Sequence, residues 1–358
     1  FVEPKTGLII RPTVGVNYSK NDYRMKDVQM RDESGDNFIY GNPKRFHDDY
    51  FSLLGQIEIG VANKSWADAF FVSASYSKTD KELQTGAVQT KVYGMAERNS
   101  DAWNISAHYQ KRNFILKNMQ LNAALSQTWD HSLTVDTTYR KYYWDGGYID
   151  GQRNEIMGKE RSMRHYKRPL TVVRANLDYK LNNHHNFNLN YHLSRTGNDR
   201  YDDLDTTFEP SNDVVSKHIL GFSYNQSLLE GKMENVFFIK DYINHPNIRQ
   251  TDQPSVTGSE AVQGSTTKNY LGYGVGLRYT VAEALAVKVS YEHSVRLPIA
   301  RELLGNGTNV YANVALKPEN SDNFNAGLFD IPSTTKQADS SARLTTIFRA
   351  KLLKKKVQ

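Results

Sequence analysis

The chain has no cysteine among its 358 residues. A disulfide framework, a zinc–thiolate site and a cysteine nucleophile are therefore excluded. Long apolar runs are missing as well. Only 39% of the residues are hydrophobic and mean hydropathy is -0.64. No stretch approaches the roughly 18 apolar residues of a membrane-crossing helix. That excludes a helical membrane protein but leaves a β-barrel open, because only alternate strand residues of a barrel meet lipid. Charge of one sign is not gathered anywhere except at the very end. The net charge is +6 and the pI about 9.1, but Lys and Arg are scattered among acids, so no nucleic-acid partner is expected. The motifs Gly-x-Ser-x-Gly, His-Glu-x-x-His and the P-loop do not occur, and no catalytic residue, cofactor or metal is assigned. The run Gly272-Tyr273-Gly274-Val275-Gly276 imitates a dinucleotide loop, but Leu277 stands at the sixth position and no helix follows.

What is present is period-2 alternation of apolar and polar residues, the pattern of strands with one apolar face. Val14, Val16 and Tyr18 begin it, and Ile57, Ile59 and Val61 continue. Then come Phe70, Val72, Ala74 and Tyr76, followed by Trp103, Ile105, Ala107 and Tyr109. The same rhythm runs through Met119 to Leu125, Val173 to Tyr179, Phe187 to Leu193, Leu220 to Tyr224, and Leu271 to Tyr279. Leu285 to Tyr291 and Phe324 to Leu328 close it. Between Leu220–Tyr224 and Leu271–Tyr279, Val236, Phe238 and Tyr242 give one more strand. Its apolar face is interrupted by Lys240. Only Pro12 of the ten prolines falls inside a predicted strand, where proline would delete a ladder hydrogen bond.

These strands, about twelve, are joined alternately by short turns and long polar stretches. Asn63-Lys64-Ser65-Trp66 and Asn182-Asn183-His184 are short; Asn21–Asp49 and Thr128–Pro169 are long. Segregation of loop length by sheet end predicts an all-β fold, an antiparallel transmembrane β-barrel with short periplasmic turns and long extracellular loops. Twenty-two tyrosines, many near strand ends, suit the aromatic girdles of such a barrel, although tyrosine also has high strand propensity.

The connection from Val287 to Phe329 carries more. It contains Arg296-Leu297-Pro298, Glu302-Leu303, a Gly305-Asn306-Gly307 turn, and Asn313 followed by Leu316-Lys317-Pro318-Glu319. Ordered in this way, it resembles the barrel of TonB-dependent outer-membrane receptors, with Val314 where that family has proline. The resemblance implies a framework role for Arg296, Pro298, Glu302, Leu303, Asn313, Leu316, Lys317, Pro318 and Glu319, whose charges are expected to pair within the barrel wall or against a plug. It implies residence in the outer membrane of a Gram-negative bacterium. It also implies capture of a scarce nutrient (ferric siderophore, haem, cobalamin, glycan or peptide) and uptake energised by the TonB complex. Outer-membrane lipid, that complex and a surface lipoprotein are the implied partners.

Family barrels have twenty-two strands around an N-terminal plug. Residues 1–330 read as part of such a barrel without the plug. Residues 331–358 read as a polar, basic tail, a truncated or altered end, with Leu344–Phe348 the only further strand candidate. An unclosed sheet has two edges that lipid cannot satisfy, so this piece is not expected to transport alone. A passive porin-like barrel and a secreted all-β glycan-binding protein are the competing readings. The porin would lack the Arg296–Glu319 connection, and the secreted protein would need a continuous core.

For the ligand, the longest loop offers Tyr139, Arg140, Tyr142, Tyr143, Trp144 and Tyr148, aromatics interleaved with cations. Such faces take flat or sugar-like ligands and anionic chelates; the alternative is that the rings pack on one another. Asp199, Asp202, Asp203 and Asp205 lack ordered calcium-loop spacing and read as a solvated surface. His184, His185 and His192 lie on a turn and a strand, where spacing does not converge them on a metal.

Overall fold

Alternation dictates strands, and strands form almost the whole of the computed structural model. It describes residues 3, 6–32, 37–156, 158, 160–248, 264–265, 267–283, 285–304, 316–330 and 344–352. In chain order the strands are β1 (Leu8–Ser19), β2 (Tyr50–Ala62), β3 (Ala69–Glu82), β4 (Glu97–Arg112), β5 (Met119–Asp136), β6 (Ser162–Lys180) and β7 (His185–Asp202). They continue as β8 (Ser211–Leu228), β9 (Met233–Ile248), β10 (Lys268–Ala282), β11 (Leu285–Arg296), β12 (Glu319–Asp330) and β13 (Leu344–Leu352). Each pairs antiparallel with the next in one path, and among the described residues the path is open: β1 pairs only with β2, and β13 only with β12. Pro12 lies in β1, opposite Ile57, on a strand with one partner, where a missing donor costs least. The thirteenth strand extends the short candidate at Leu344–Phe348 by pairing with β12.

Connections sort by end. Residues 63–68, 113–118, 181–184 and 229–232 make tight turns at one end of the sheet, and residue 283 turns there as well. Asn63, Asn113, Asn118 and Gly231 supply the left-handed backbone that several of them need. Residues 20–32, 37–49, 83–96, 137–156, 160–161, 203–210, 297–304 and 316–318 lie at the other end.

The pairing register assigns the faces. One row runs Val72, Ala107, Leu125, Val173, Leu193; another runs Leu189, Phe222, Ile239, Tyr273. This face is apolar and yet exposed: Leu125 is 49% exposed, Ile239 46% and Tyr273 44%. The opposite face is polar. Asn176 bonds Asn188 (3.1 Å) and Asn190 (2.6 Å), Asn104 bonds Ser126 (2.8 Å) and Thr128 (2.7 Å), and Ser73 bonds Ser106 (2.7 Å). Among the described residues the buried apolar side chains form three small clusters, none spanning the sheet. An exposed apolar face over a polar one is the pattern of a barrel wall between lipid and a wet lumen.

Three sequence expectations are corrected. In β9 the lipid-facing residues are Phe237 and Ile239, so Lys240 interrupts nothing: it lies opposite Gly221 and Gly272 on the lumen face and pairs with Glu292 at 3.4 Å. Both faces of this strand carry large apolar residues, and alternation could not choose between them. Pro169 and Pro246 also lie within strands, and in the stretch Thr128–Pro169 the wall strands continue over residues 128–136 and 162–169. The strands project beyond the apolar band, where both faces meet polar surroundings and alternation fades.

The outer edge of the band does not follow one row. It passes Tyr76, Trp103 and Trp129 on β3–β5, then falls to Arg195 on β7, His218 on β8 and His293 on β11. A membrane plane cuts pairing rows in this stepped way when strands are tilted to it.

Candidate functional site

The long loops form a layer with its own polar core. Gln84 is 1% exposed; its Oε1 accepts from the N–H groups of Phe46 (2.7 Å) and His47 (3.1 Å), and its Nε2 donates to Tyr93 O (3.1 Å). Glu155 accepts from Gly94 N (2.7 Å) and Thr138 Oγ1 (2.6 Å), and buried Asp136 accepts from Glu155 N and Ile156 N, both at 2.8 Å. Residues 37–49, 83–96 and 137–156 are thereby tied into one unit. Burial, with Asp136 and Glu155 nearby, pushes the Tyr93 phenol up to about 12. An unfolded tyrosine ionises near 10. The proton it keeps therefore supports the fold fully below pH 10 and ceases to as pH rises through about 12. In an ultraviolet titration Tyr93→Phe is expected to remove a tyrosine that ionises later than the bulk.

The loop aromatics divide into two groups. Residues 140–142 and 148–150 pair as a ribbon, turned by Gly146 at φ 86, with Asp145 Oδ1 accepting from Gly147 N at 2.8 Å. Tyr142 and Trp144 point down from it, 8% and 7% exposed, into a cluster with Val28 and Val92. Trp144 Nε1 donates to Gln89 O at 3.0 Å. The space a Cβ on Gly94 would need is filled by the Tyr142 ring. These two rings hold the loop layer together. Tyr148 is 48% exposed, with the Arg140 guanidinium 4.0 Å from its centroid. Arg161 lies 5.2 Å over Tyr139, whose hydroxyl donates to Glu160 at 2.8 Å, and Lys141 is 5.5 Å from the Tyr143 ring. The outer surface of the loop thus presents cations on aromatic faces.

Below, the lumen wall carries a second group, whose cations are Arg174 and Lys240. His108, Ala124, Arg174 and His192 occupy one row and, with Lys240 one row away, line a cavity of about 440 Å³.

The connection after β11 is a clamp. Arg296 reaches Glu302 at 2.6 Å and Glu319 at 3.1 Å, joining the end of β11 to the start of β12. Glu302 also accepts from Ile299 N at 2.9 Å. A short helix, α1 (Ala300–Leu304), buries Leu303 and Leu304 against Val215 and Ile248, and the buried Pro298 carbonyl accepts from Lys217. Leu316 and Lys317 are exposed and Pro318 half-buried; Asn313 lies outside the described residues. The Arg296 guanidinium and the Ile299 N–H hold Glu302 below the usual carboxylate range. Its contribution is present above the ordinary Glu pKa and is lost as pH falls through the lowered value. A double-mutant cycle of Arg296→Met and Glu302→Gln, read by denaturant unfolding, is expected to show coupling at neutral pH that disappears in acid. Additive effects at neutral pH would remove the pair from the clamp.

Sequence reasoning missed the acidic loop. Asp202 and Asp205 are not solvated: both are buried and bonded to Arg164, at 3.1 and 3.3 Å, while Asp203 meets His165 at 2.9 Å. Arg164 lies thirty-eight positions before Asp202, and only the β6–β7 register brings them together. No cluster of metal-ligating side chains occurs among the described residues. His184 bonds Ser227 O and His185 the Tyr224 hydroxyl, apart from His192.

The family described as TonB dependent receptor-like, beta-barrel matches residues 45–330. No curated protein sequence matches the chain. Among solved structures it is similar to the copper transporter OprC, at 11% identity and a TM-score of 0.61, over 90% of this chain and 47% of that one. It is also similar to the FrpB iron transporter from Neisseria meningitidis. The F3-3 variant gives 14% identity and a TM-score of 0.58, over 92% of this chain and 48% of that one. The F5-1 variant gives 12% and 0.56, over 92% and 49%. The chain spans about half the length of these structures, and at such identities the likeness shows the fold.

Proposed function

The chain belongs to the TonB-dependent receptor-like β-barrel family, and from that premise we propose that it supplies wall and surface loops to an outer-membrane receptor for a scarce, metal-bearing nutrient. Members of the family are receptors and transporters of the Gram-negative outer membrane. The observation that carries the ligand reading is the pairing of Arg140 with Tyr148 and Arg161 with Tyr139 on the outer loop, above a lumen row with Arg174 and His192. Guanidinium groups on aromatic faces suit an anionic, partly flat chelate, which gains both charge-assisted hydrogen bonds and ring contact. The names of the OprC and FrpB transporters support a metal in that ligand. Entry past the loops leads to the cationic lumen row, and release inward depends on a plug domain coupled to the TonB complex. A surface lipoprotein that seats on the loops is compatible with this arrangement.

The test is uptake by the whole receptor in its host, with a panel of ferric siderophores and haem as probes. One probe is expected to be taken up only while the TonB complex is energised. Joint replacement of Arg140 and Arg161 by glutamine is expected to weaken its surface binding about tenfold or more, the scale of one or two charge-assisted bonds. Flux that persists without TonB would instead make the protein a passive barrel.

A further inference from the structure

The lipid-facing wall carries cations that the receptor function does not use. Arg195, on β7, is exposed in the row of Gln127, Thr171 and Ser216. It has no hydrogen-bond or acidic partner among the described residues, whereas its neighbours Thr171 and Gln127 bond each other at 2.5 Å. It lies where the outer edge of the apolar band steps down from Trp129, and so at the depth of lipid headgroups. A guanidinium in the middle of the band is strongly disfavoured, but at the interface it is readily accommodated. There the abundant anion is lipid phosphate, which the planar fork of arginine grips in bidentate fashion.

The wall is hollowed at this point. Lys167, Pro169, Thr171, Arg195, Trp103 and Trp129 border a depression of about 500 Å³. It is deepened because Gly197 has no side chain and lies against the Pro169 ring. Trp103 and Trp129 are 54% and 49% exposed, and amphipathic rings of this kind sit at the headgroup boundary. Lys167, on the same face two rows above Thr171, has its amine 4.8 Å from the Tyr201 centroid and no salt bridge among the described residues. Three carboxylates also border the depression. Asp101 is bonded to His131 at 3.2 Å, Asp130 belongs to the lumen-side row of Ala102 and Arg168, and Asp199 lies opposite Lys167.

We propose that this depression on the outer wall, between β4 and β8, binds the phosphate headgroup of a membrane lipid through Arg195 and Lys167, with the acyl chains running down the apolar band below Trp129. Asp199 opposes the phosphate and limits its affinity.

The test is native mass spectrometry of the whole receptor in detergent, titrated with a phosphatidic acid and with the diacylglycerol of the same chains. Phosphatidic acid is expected to bind at least tenfold more tightly than diacylglycerol. Arg195→Gln and Lys167→Gln are each expected to remove most of that preference, and Asp199→Asn to increase it about two- to threefold. Lys64→Gln, in a turn at the far end, leaves it unchanged and controls for folding. Equal binding of the two lipids, or a preference intact in Arg195→Gln, would overturn the site. Displacement of the lipid by millimolar inorganic phosphate would show a free-anion site and overturn the lipid assignment.

Discussion

Arginine in place of Ile105 is expected to lower stability in a bilayer by about 2–4 kcal/mol, the cost of a cation on the lipid face at mid-depth. The same residue in place of His108, three positions along the same strand, is expected to cost far less. Ile105 is 49% exposed in the row of Ala74 and Gln127; His108 borders the lumen cavity. In water an exposed isoleucine can become arginine within about 0.5 kcal/mol, so a soluble β-protein would make the two substitutions equivalent. Denaturant unfolding of the folded protein in vesicles gives both values. The same comparison between Ile239 and Phe238 tests the corrected facing of β9, with the larger loss expected for Ile239→Arg.

The second large effect belongs to Gln84. Leucine there keeps the volume but leaves two N–H groups, on Phe46 and His47, and the Tyr93 carbonyl without partners in a buried layer. Each such group costs about 1–3 kcal/mol, so the loop layer is expected to lose roughly 3 kcal/mol or more against local opening. The strands have their own ladders and are expected to hold. Hydrogen exchange should therefore speed up at Phe46, His47 and Tyr93 by two orders of magnitude or more, while Ala107 and Val173 stay slow. Unchanged exchange at Phe46 would mean that Gln84 does not organise the loops. Acceleration throughout the sheet would mean that loop layer and wall open together.

Much of the wall was legible in the sequence because lipid on one side and water on the other impose strict alternation, as at Trp103–Tyr109 and Val173–Tyr179. It failed where that contrast was absent. In β9, Val236 to Ile239 are apolar on both faces, and the pattern alone put Lys240 on the wrong side. Beyond the band, Thr128–Asp136 and Ser162–Pro169 read as loop although their ladders continue. The clamp was half legible: Arg296 and Glu302 are six positions apart, near enough for sequence to suggest the pair. That Leu303 and Leu304 anchor α1 on Val215 and Ile248 depends on strands far away in the chain. The loop site divides similarly. The composition of Tyr139–Tyr148 showed aromatics among cations, but which rings turn inward is decided by Val28, Val92 and Gly94 from two other loops. Arg195 was passed over because a single arginine in a polar stretch signals nothing until the register places it on the lipid face.

The most direct measurement exploits the absence of cysteine. Single cysteines at positions 103 to 109 of β4, each carrying a spin label in the membrane-embedded receptor, report access to oxygen dissolved in lipid and to a nickel chelate in water. Strict alternation is expected, with labels at Trp103, Ile105, Ala107 and Tyr109 in the lipid phase and those at Asn104, Ser106 and His108 open to water. Uniform access to the nickel chelate along the strand would contradict a wall between bilayer and lumen, and the receptor assignment with it.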